Sequence, residues 1–272
     1  MTTDAARPDL VLTERHGAVG LMRFNRPERL NALDLPMLHA IEQAYEALHA
    51  DPGVRVIVIT GADDRAFVAG GDITDLVTRR ATTWYDDFGL TVHRVFRRIE
   101  VSDKPTIAAI NGWALGGGME LMLCTDLRLM AAEAKIGLPE IKLGLFPGGG
   151  GSQRLMRQIA LSQAKFMMYT GDPIDAARAQ ALGLVNEVVP RAALRDAAMA
   201  LAQRLAANSA QALKLLKHAM LHGREMPLDA ALAYERSVVG VLFDHPDVKE
   251  GCGAFVEKRP ARFHTAGGPE SR

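Results

Sequence analysis

Lys104–Leu121, KPTIAAINGWALGGGMEL, is the stretch on which the fold turns. KPTIAAIN is a short apolar run, too brief for a full helix. A cluster of glycines follows it, and then Met119–Leu123, which has helical character. Strand, glycine turn and helix in that order are one unit of an α/β fold. Working outward, Val54–Thr60 (VRVIVIT) is a β-branched run ended by Gly61, suited to a strand buried on both faces, and therefore to a parallel sheet. Leu127–Ala131 reads as a further strand. Residues 10–25 alternate and then turn, which predicts a β-hairpin closing at His16-Gly17. Asn31–Ala50 carries Leu33, Met37, Leu38, Ile41, Tyr45 and Leu48 near helical spacing, and Asp51-Pro52-Gly53 stops it. Apolar strands separated by helical stretches and Gly-rich turns describe repeated ββα units rather than a sandwich or a bundle. The fold class is α/β.

After Pro190 the texture changes. Leu194–Ala207, Ser209–Gly223 and Leu228–Phe243 are rich in Ala and Leu at helical spacing, and a last helix is expected over Pro246–Lys258. The reading divides the chain into a ββα core over 1–190, a helical region over 191–263 and a tail, 264–272, expected to fray.

The 272 residues are 48% hydrophobic and 24% charged, a balance that excludes a disordered or collagenous chain. Lys plus Arg (32) equals Asp plus Glu (32), so no overall charge draws the protein to nucleic acid or to an anionic membrane, and an anionic ligand must be held locally. Pro105–Arg128 lacks an internal basic residue but contains Asn111, four glycines, Glu120 and Asp126, which a hydrocarbon core would not accept. Cys124 and Cys252 have no CxxC partner, which argues against a disulfide framework or a structural zinc site and for a reducing, cytoplasmic setting. MTTDAARPDL lacks the basic start and apolar run of a secretory signal, so no export is expected.

Three Gly-rich segments stand out: Ala69–Asp72, Gly112–Gly118 and Gly148–Gly151. None has the GxGxxG or GxxxxGK[ST] spacing of a dinucleotide or nucleoside-triphosphate loop. Gly116–Gly118 lie between strand and helix, so their amides are free to hold an oxyanion at the helix start; close packing of strand on helix would also explain glycine there. Glu120 in MELMLC and Glu140 in GLPEIKLG interrupt apolar surroundings. Each alone is compatible with a helix cap or a solvent-facing side chain. Together, beside an anion-stabilising amide cluster, they suit general acid and base work on a carbonyl compound. The eight histidines form no HExxH and no ligand cluster, so no metal is assigned. No GxSxG is present and Cys124 lies in an apolar run, which disfavours a Ser or Cys nucleophile.

The ordered set NRPERLNAL (Asn25–Leu33), AFVAGGDI (Ala66–Ile73), KPTIAAINGWALGGGMEL, GLPEIKLGLFPGGGG (Gly137–Gly151) and AFVEKRPARF (Ala254–Phe263) resembles the enoyl-CoA hydratase/isomerase family, the crotonases. The resemblance covers roughly residues 10–263, and the two glutamates, 20 residues apart, keep the spacing of the family's hydratases. It implies a crotonase-like spiral of ββα units with a C-terminal helical trimerisation region, as a homotrimer or a dimer of trimers. It implies an acyl-CoA thioester substrate and no cofactor, coenzyme A being part of the substrate. By that match the amides of Gly71 and Gly117 form the oxyanion hole, Glu120 activates water for C3, Glu140 delivers a proton to C2, and the Gly148 amide helps to hold the water. The product would be a (3S)-3-hydroxyacyl-CoA of fatty-acid or related acyl-CoA catabolism; double-bond isomerisation or a specialised dehydration is the alternative within the family, and a non-catalytic acyl-CoA-binding protein the alternative outside enzymes. Ala69, Asp72, Ile73 and Thr74 mark the CoA-binding backbone. Many family hydratases carry Lys where this chain has Thr74, which passes phosphate binding to Arg29 or to a partner subunit. Gly71 stands where many relatives have Ala. Trp84, Tyr85 and Phe88, in the segment bordering the acyl pocket, either shorten the pocket or belong to the core.

Overall fold

The computed structural model describes residues 9–263; the tail expected over 264–272 lies outside the described residues. Strands divide between two sheets. The six-stranded sheet runs β1 (Val11–His16), β2 (Val19–Phe24), β3 (Val56–Gly61), β5 (Thr106–Ile110), β7 (Leu127–Ala131) and β10 (Glu187–Val189), antiparallel between β1 and β2 and parallel elsewhere. The four-stranded sheet runs β4 (Ala66–Val68), β6 (Trp113–Leu115), β8 (Lys135–Gly137) and β9 (Ile174–Asp175), with only β8 and β9 antiparallel. From β3 to β8 the chain alternates between the sheets, giving each a strand before a helical stretch follows, and that is the ββα repeat.

The helical stretches are α1 (Leu35–Ala50); α2 (Ile73–Leu76), α3 (Ala81–Thr83), a π-helical turn (Trp84–Gly89) and α4 (Leu90–Glu100); α5 (Gly117–Met122); and a 3-10 turn (Pro139–Leu143) with α6 (Gly151–Leu155), α7 (Leu161–Thr170) and α8 (Ala176–Ala181). Then come α9 (Arg191–Ala206), α10 (Ala210–Gly223), α11 (Leu228–Leu242) and α12 (Pro246–Val256). Every residue of β5 is buried, as a parallel strand covered on both faces requires.

The hairpin forms as expected, with Gly17 in the left-handed region at φ +62°. Helix α1 starts four residues later than its apolar spacing predicts. Asp34 caps it by accepting from the Met37 amide at 2.9 Å, while Asn31, at φ +59°, buries its side-chain amide to donate to the carbonyls of Ala66 and Phe67. Asn31 therefore ties the chain to β4 instead of opening the helix.

The helical C-terminal region divides by packing. Leu194, Ala198, Ala202 and Ala206, one face of α9 at steps of four, are buried against the six-stranded sheet, so α9 is part of the core. Helices α10 and α11 bury no residue at all, and leave Met220 and Leu228 about two-thirds exposed or more. Among the described residues no helix is long and apolar enough to cross a membrane.

Candidate active site

Glycines bring the site together. In the parallel bridge between Leu33 and Gly71, the Leu33 amide donates to the Gly70 carbonyl and the Asp72 amide to the Leu33 carbonyl, which turns the amide of Gly71 itself away from Leu33. Gly117 is the first residue of α5, so its amide has no acceptor within the helix. The two glycine turns touch. A Cβ built on Gly116 would lie 3.6 Å from the Gly70 Cα, and one on Gly117 would lie 3.9 Å from the Gly70 carbonyl carbon. Gly118 is irreplaceable for a plainer reason, since a Cβ there would overlap the Val68 carbonyl oxygen.

Helix α5 then delivers Glu120, which is 4% exposed. Its Oε1 accepts from the amides of Gly149 and Gly151 at 2.7 and 2.8 Å. Burial pushes the carboxyl above the usual carboxylate range; the two amides and the nearby Arg154 guanidinium pull the other way. The far end of α5 is closed by Arg128, whose buried guanidinium donates to the carbonyls of Met122, Leu123, Thr125 and Leu184 and to the side chain of Gln158. A cation at the C-terminal end of the helix suits the dipole and fixes the short element that carries Glu120.

Glu140 enters on the 3-10 turn, from the opposite direction. Its Oε1 lies 3.2 Å from the position of a Cβ on Gly116, so it meets the same glycine turn; its Oε2 is buried and has no hydrogen-bond partner among the described residues. Burial, and after it the charge of Glu120, push its pKa up to about 7. Two carboxyl groups are thus placed around one glycine turn, one held by backbone amides and one left free to exchange a proton near neutrality.

The four glycines of Gly148–Gly151 make room for three side chains. A Cβ on Gly148 would lie 2.8 Å from the Trp84 ring, one on Gly149 2.6 Å from Glu120 Oε2, and one on Gly151 2.8 Å from Glu120 Cγ, while one on Gly150 would overlap Arg154. The amides that hold Glu120 are therefore those of Gly149 and Gly151, and Gly148 faces Trp84. The sequence expectation for Gly148 concerns the water, and it does not point to Gly149 and Gly151 as donors to Glu120; the run of four glycines is the available signal. Of the three aromatics in the segment after α2, Phe88 is core, Tyr85 is 78% exposed, and Trp84 stacks at 5.3 Å on Phe88 while touching the glycine run.

The expected CoA-binding segment forms the rim. Asp72 is buried and its carboxylate accepts from the amide and hydroxyl of Thr74 and pairs with Arg26 at 3.0 Å, which holds its pKa below the usual range, the Thr74 hydroxyl most of all. Its side chain shapes the turn. Ala69 is half-buried, with its amide bound to the Leu30 carbonyl, whereas Ile73 and Thr74 are exposed. Arg29 is exposed in the turn Pro27–Arg29, near enough for its charge to act on Asp72.

Comparison with known proteins shows the family. The enoyl-CoA hydratase/isomerase family matches residues 14–266, and the chain belongs to that family. It is 41% identical to a crotonyl-CoA hydratase of Syntrophomonas wolfei over 93% of this chain and 97% of that protein. It is 39% identical to a short-chain-enoyl-CoA hydratase of Clostridium acetobutylicum, over 92% and 95% of the two chains. The solved structure of an enoyl-CoA hydratase subunit I from Geobacillus kaustophilus superposes with a TM-score of 0.89 at 39% identity, over 94% of this chain and 98% of that one.

Proposed function

We propose that the protein is an enoyl-CoA hydratase, a hydro-lyase that adds water syn across the double bond of a trans-2-enoyl-CoA to give a (3S)-3-hydroxyacyl-CoA. The observation that carries the reading is the division between its two carboxyl groups: Glu120 anchored through one oxygen by two amides, and Glu140 with an unpartnered oxygen and a pKa pushed up to about 7. Glu120 takes a proton from water as the water oxygen bonds to C3. Glu140 gives its proton to C2. Between these events negative charge sits on the thioester oxygen, where the amides of Gly71 and Gly117 receive it; one such donor is worth roughly 10²- to 10³-fold in rate. A proton then returns from Glu120 to Glu140, so the sum is addition of one water.

Short acyl groups fit best. The names of the two similar hydratases support this, and so does Trp84, whose ring closes against the Gly148 backbone beside the glutamates. Coenzyme A is read as lying along the backbone of residues 69–74, with Arg29 at the exposed rim as a phosphate partner. Assembly as a homotrimer, or a dimer of trimers, is supported by the uncovered apolar residues of α10 and α11. Two free cysteines, one buried and one exposed, accord with a cytoplasmic setting.

The test is incubation with crotonyl-CoA, following the conjugated enoyl-thioester absorbance and the product mass. Loss of absorbance with the mass of one added water is expected. Binding of crotonyl-CoA with no such change would overturn the reading in favour of an isomerase or of another acyl group.

A further inference from the structure

Glu100 occupies a place that helix electrostatics disfavours. It is the last residue of α4, where the dipole presents partial negative charge, yet its carboxylate is mostly buried. Arg154 of α6 meets it in a two-point fork, Nε to Oε1 at 3.1 Å and Nη2 to Oε2 at 3.0 Å, with the two side chains only 13% and 18% exposed. Arg97 adds a bond to the same carboxylate at 2.8 Å. The third nitrogen of Arg154, Nη1, turns inward and donates to the carbonyl of Gly149 at 3.1 Å. That carbonyl belongs to the residue whose amide donates to Glu120, and Arg154 sits on the same helical turn as Gly151, the second donor. Gly150, at φ +106°, is the residue that lets the guanidinium pass.

We infer that the Arg154–Glu100 pair is the positioning device for Glu120: Arg154, braced by Glu100, holds the Gly149–Gly151 turn in the arrangement in which both amides reach Glu120 Oε1. This rests on the reading of Glu120 as the group that activates water. Arg154 touches no reacting atom in this scheme and acts through the turn. A fork explains the choice of arginine, because a lysine ammonium cannot grip two carboxylate oxygens and a carbonyl from fixed directions. The charge of Arg154 also favours ionised Glu120. The other ionisable groups bearing on Glu120 are Glu140 from the 3-10 turn, Cys124 from the end of α5 and, behind Arg154, Glu100 itself. The outer side of the pair opens on a cavity of about 250 Å³ lined by Arg97, Arg157, His222 and Glu225, several times the roughly 30 Å³ that a water molecule occupies. A free guanidinium ion therefore has a way in.

The experiment compares Arg154→Ala, Arg154→Lys and Glu100→Gln with the unmodified protein on crotonyl-CoA across pH. It adds low concentrations of guanidinium chloride, and a ¹³C-glutamate NMR titration in which the Glu120 signal is assigned by its loss in Glu120→Gln. Arg154→Ala should lose about 10²-fold in kcat with little change in KM, the size expected when a catalytic group is displaced by a fraction of its contact distance. The acid limb of its pH profile and the Glu120 titration should both move to higher pH, and guanidinium should restore part of kcat. Arg154→Lys should fall between; Glu100→Gln should lower kcat by less, and because it leaves the Arg154 charge unneutralised its Glu120 titration should not move to higher pH. A Glu120 titration and acid limb that stay in place in Arg154→Ala would overturn the inference, whether or not kcat falls, since a loss of kcat alone is what a merely structural role predicts. Should Arg154→Ala not fold, Arg154→Gln, which also removes the charge and the fork, carries the same readings. Failure of the unmodified protein to hydrate crotonyl-CoA would count against the proposed function, whereas the NMR titration still decides on the pair.

Discussion

The two glutamates stand on unlike pieces of backbone. Glu120 comes from α5, a helix with five of its six residues buried, whose start is set by glycine contacts with Val68 and Leu33 and whose end is closed by Arg128. Glu140 comes from a 3-10 turn with no buried residue, ended by Gly144 at φ +73° and followed by exposed Leu145 and Phe146. One carboxylate is fixed by a packed frame and two amides; the other hangs from a looser edge with one oxygen unpartnered. Fixing a carboxylate with amides favours its ionised form, and burying one without a donor favours its protonated form. The difference between the regions sets the two carboxyls apart, since burial raises both and only Glu120 has two amides and Arg154 to oppose the rise, and the proposed roles of base and acid rest on that difference.

The hardest test of that division is to remove each charge in turn. Glu120→Gln and Glu140→Gln should each lower kcat on crotonyl-CoA by about 10²- to 10⁴-fold, the usual contribution of a positioned acid or base, with the assembly intact by sedimentation. The pH profiles should separate them: what survives in Glu120→Gln should lose the acid limb, and what survives in Glu140→Gln should lose the basic limb near pH 7. Near-native turnover in both variants would end the assignment.

The packed region was the legible one. KPTIAAIN and VRVIVIT announce β5 and β3 because a parallel strand covered on both faces has no polar positions to blur it, and GGGMEL announces α5 because strand-to-helix turns this tight require glycine. The three-residue strands β4, β6 and β8 were not separable from their surroundings, because at that length no alternation can develop. Asn31 looked like the start of α1, and nothing in its neighbours reveals that its amide is needed across the chain at Ala66 and Phe67. At the site, both glutamates were visible as interruptions of apolar sequence and Gly116–Gly118 as a candidate anion-holding turn, whereas Gly71 enters only through the family resemblance. The identity of the glycines that grip Glu120 was not visible, because it depends on which amides of a four-glycine run face α5. Arg154 and Glu100 carry no local signal, being 54 residues apart in sequence.

A smaller effect tests the frame from the backbone side. Gly149→Ala would put a methyl group 2.6 Å from Glu120 Oε2, too close for either to stay, whereas Gly144→Ala in the Glu140 turn meets nothing within 4 Å. Gly149→Ala should therefore displace Glu120 and lower kcat by about 10²-fold, as a shift of order 1 Å at a catalytic group does. Gly144→Ala should leave kcat nearly unchanged and cost only about 1 kcal/mol of stability from the strain of a positive φ. Steady-state kinetics with chemical denaturation decides it, and equal losses of kcat in the two variants would show that the looser region is as finely set as the packed one.

The smallest effect is thermodynamic and follows from the burial of Glu140 beside the charge of Glu120. With its pKa at about 7 in the folded protein and at the ordinary carboxylate value in the unfolded chain, Glu140 binds a proton more tightly when folded. Stability must then fall as pH rises from the ordinary carboxylate value to about 7, and the full penalty persists above it. At ~1.4 kcal/mol per pKa unit, reduced for a half-buried side chain that solvent partly screens, the penalty is about 1 to 3 kcal/mol. Glu140→Gln removes the ionisation and keeps the shape, so it should be more stable than the unmodified protein by that amount at about pH 8, and no more stable at about pH 4, where both side chains are neutral. Urea unfolding at the two pH values measures this directly. A gain of the same size at both would assign the effect to packing rather than charge, and would remove the energetic reason for calling the edge carboxyl the acid.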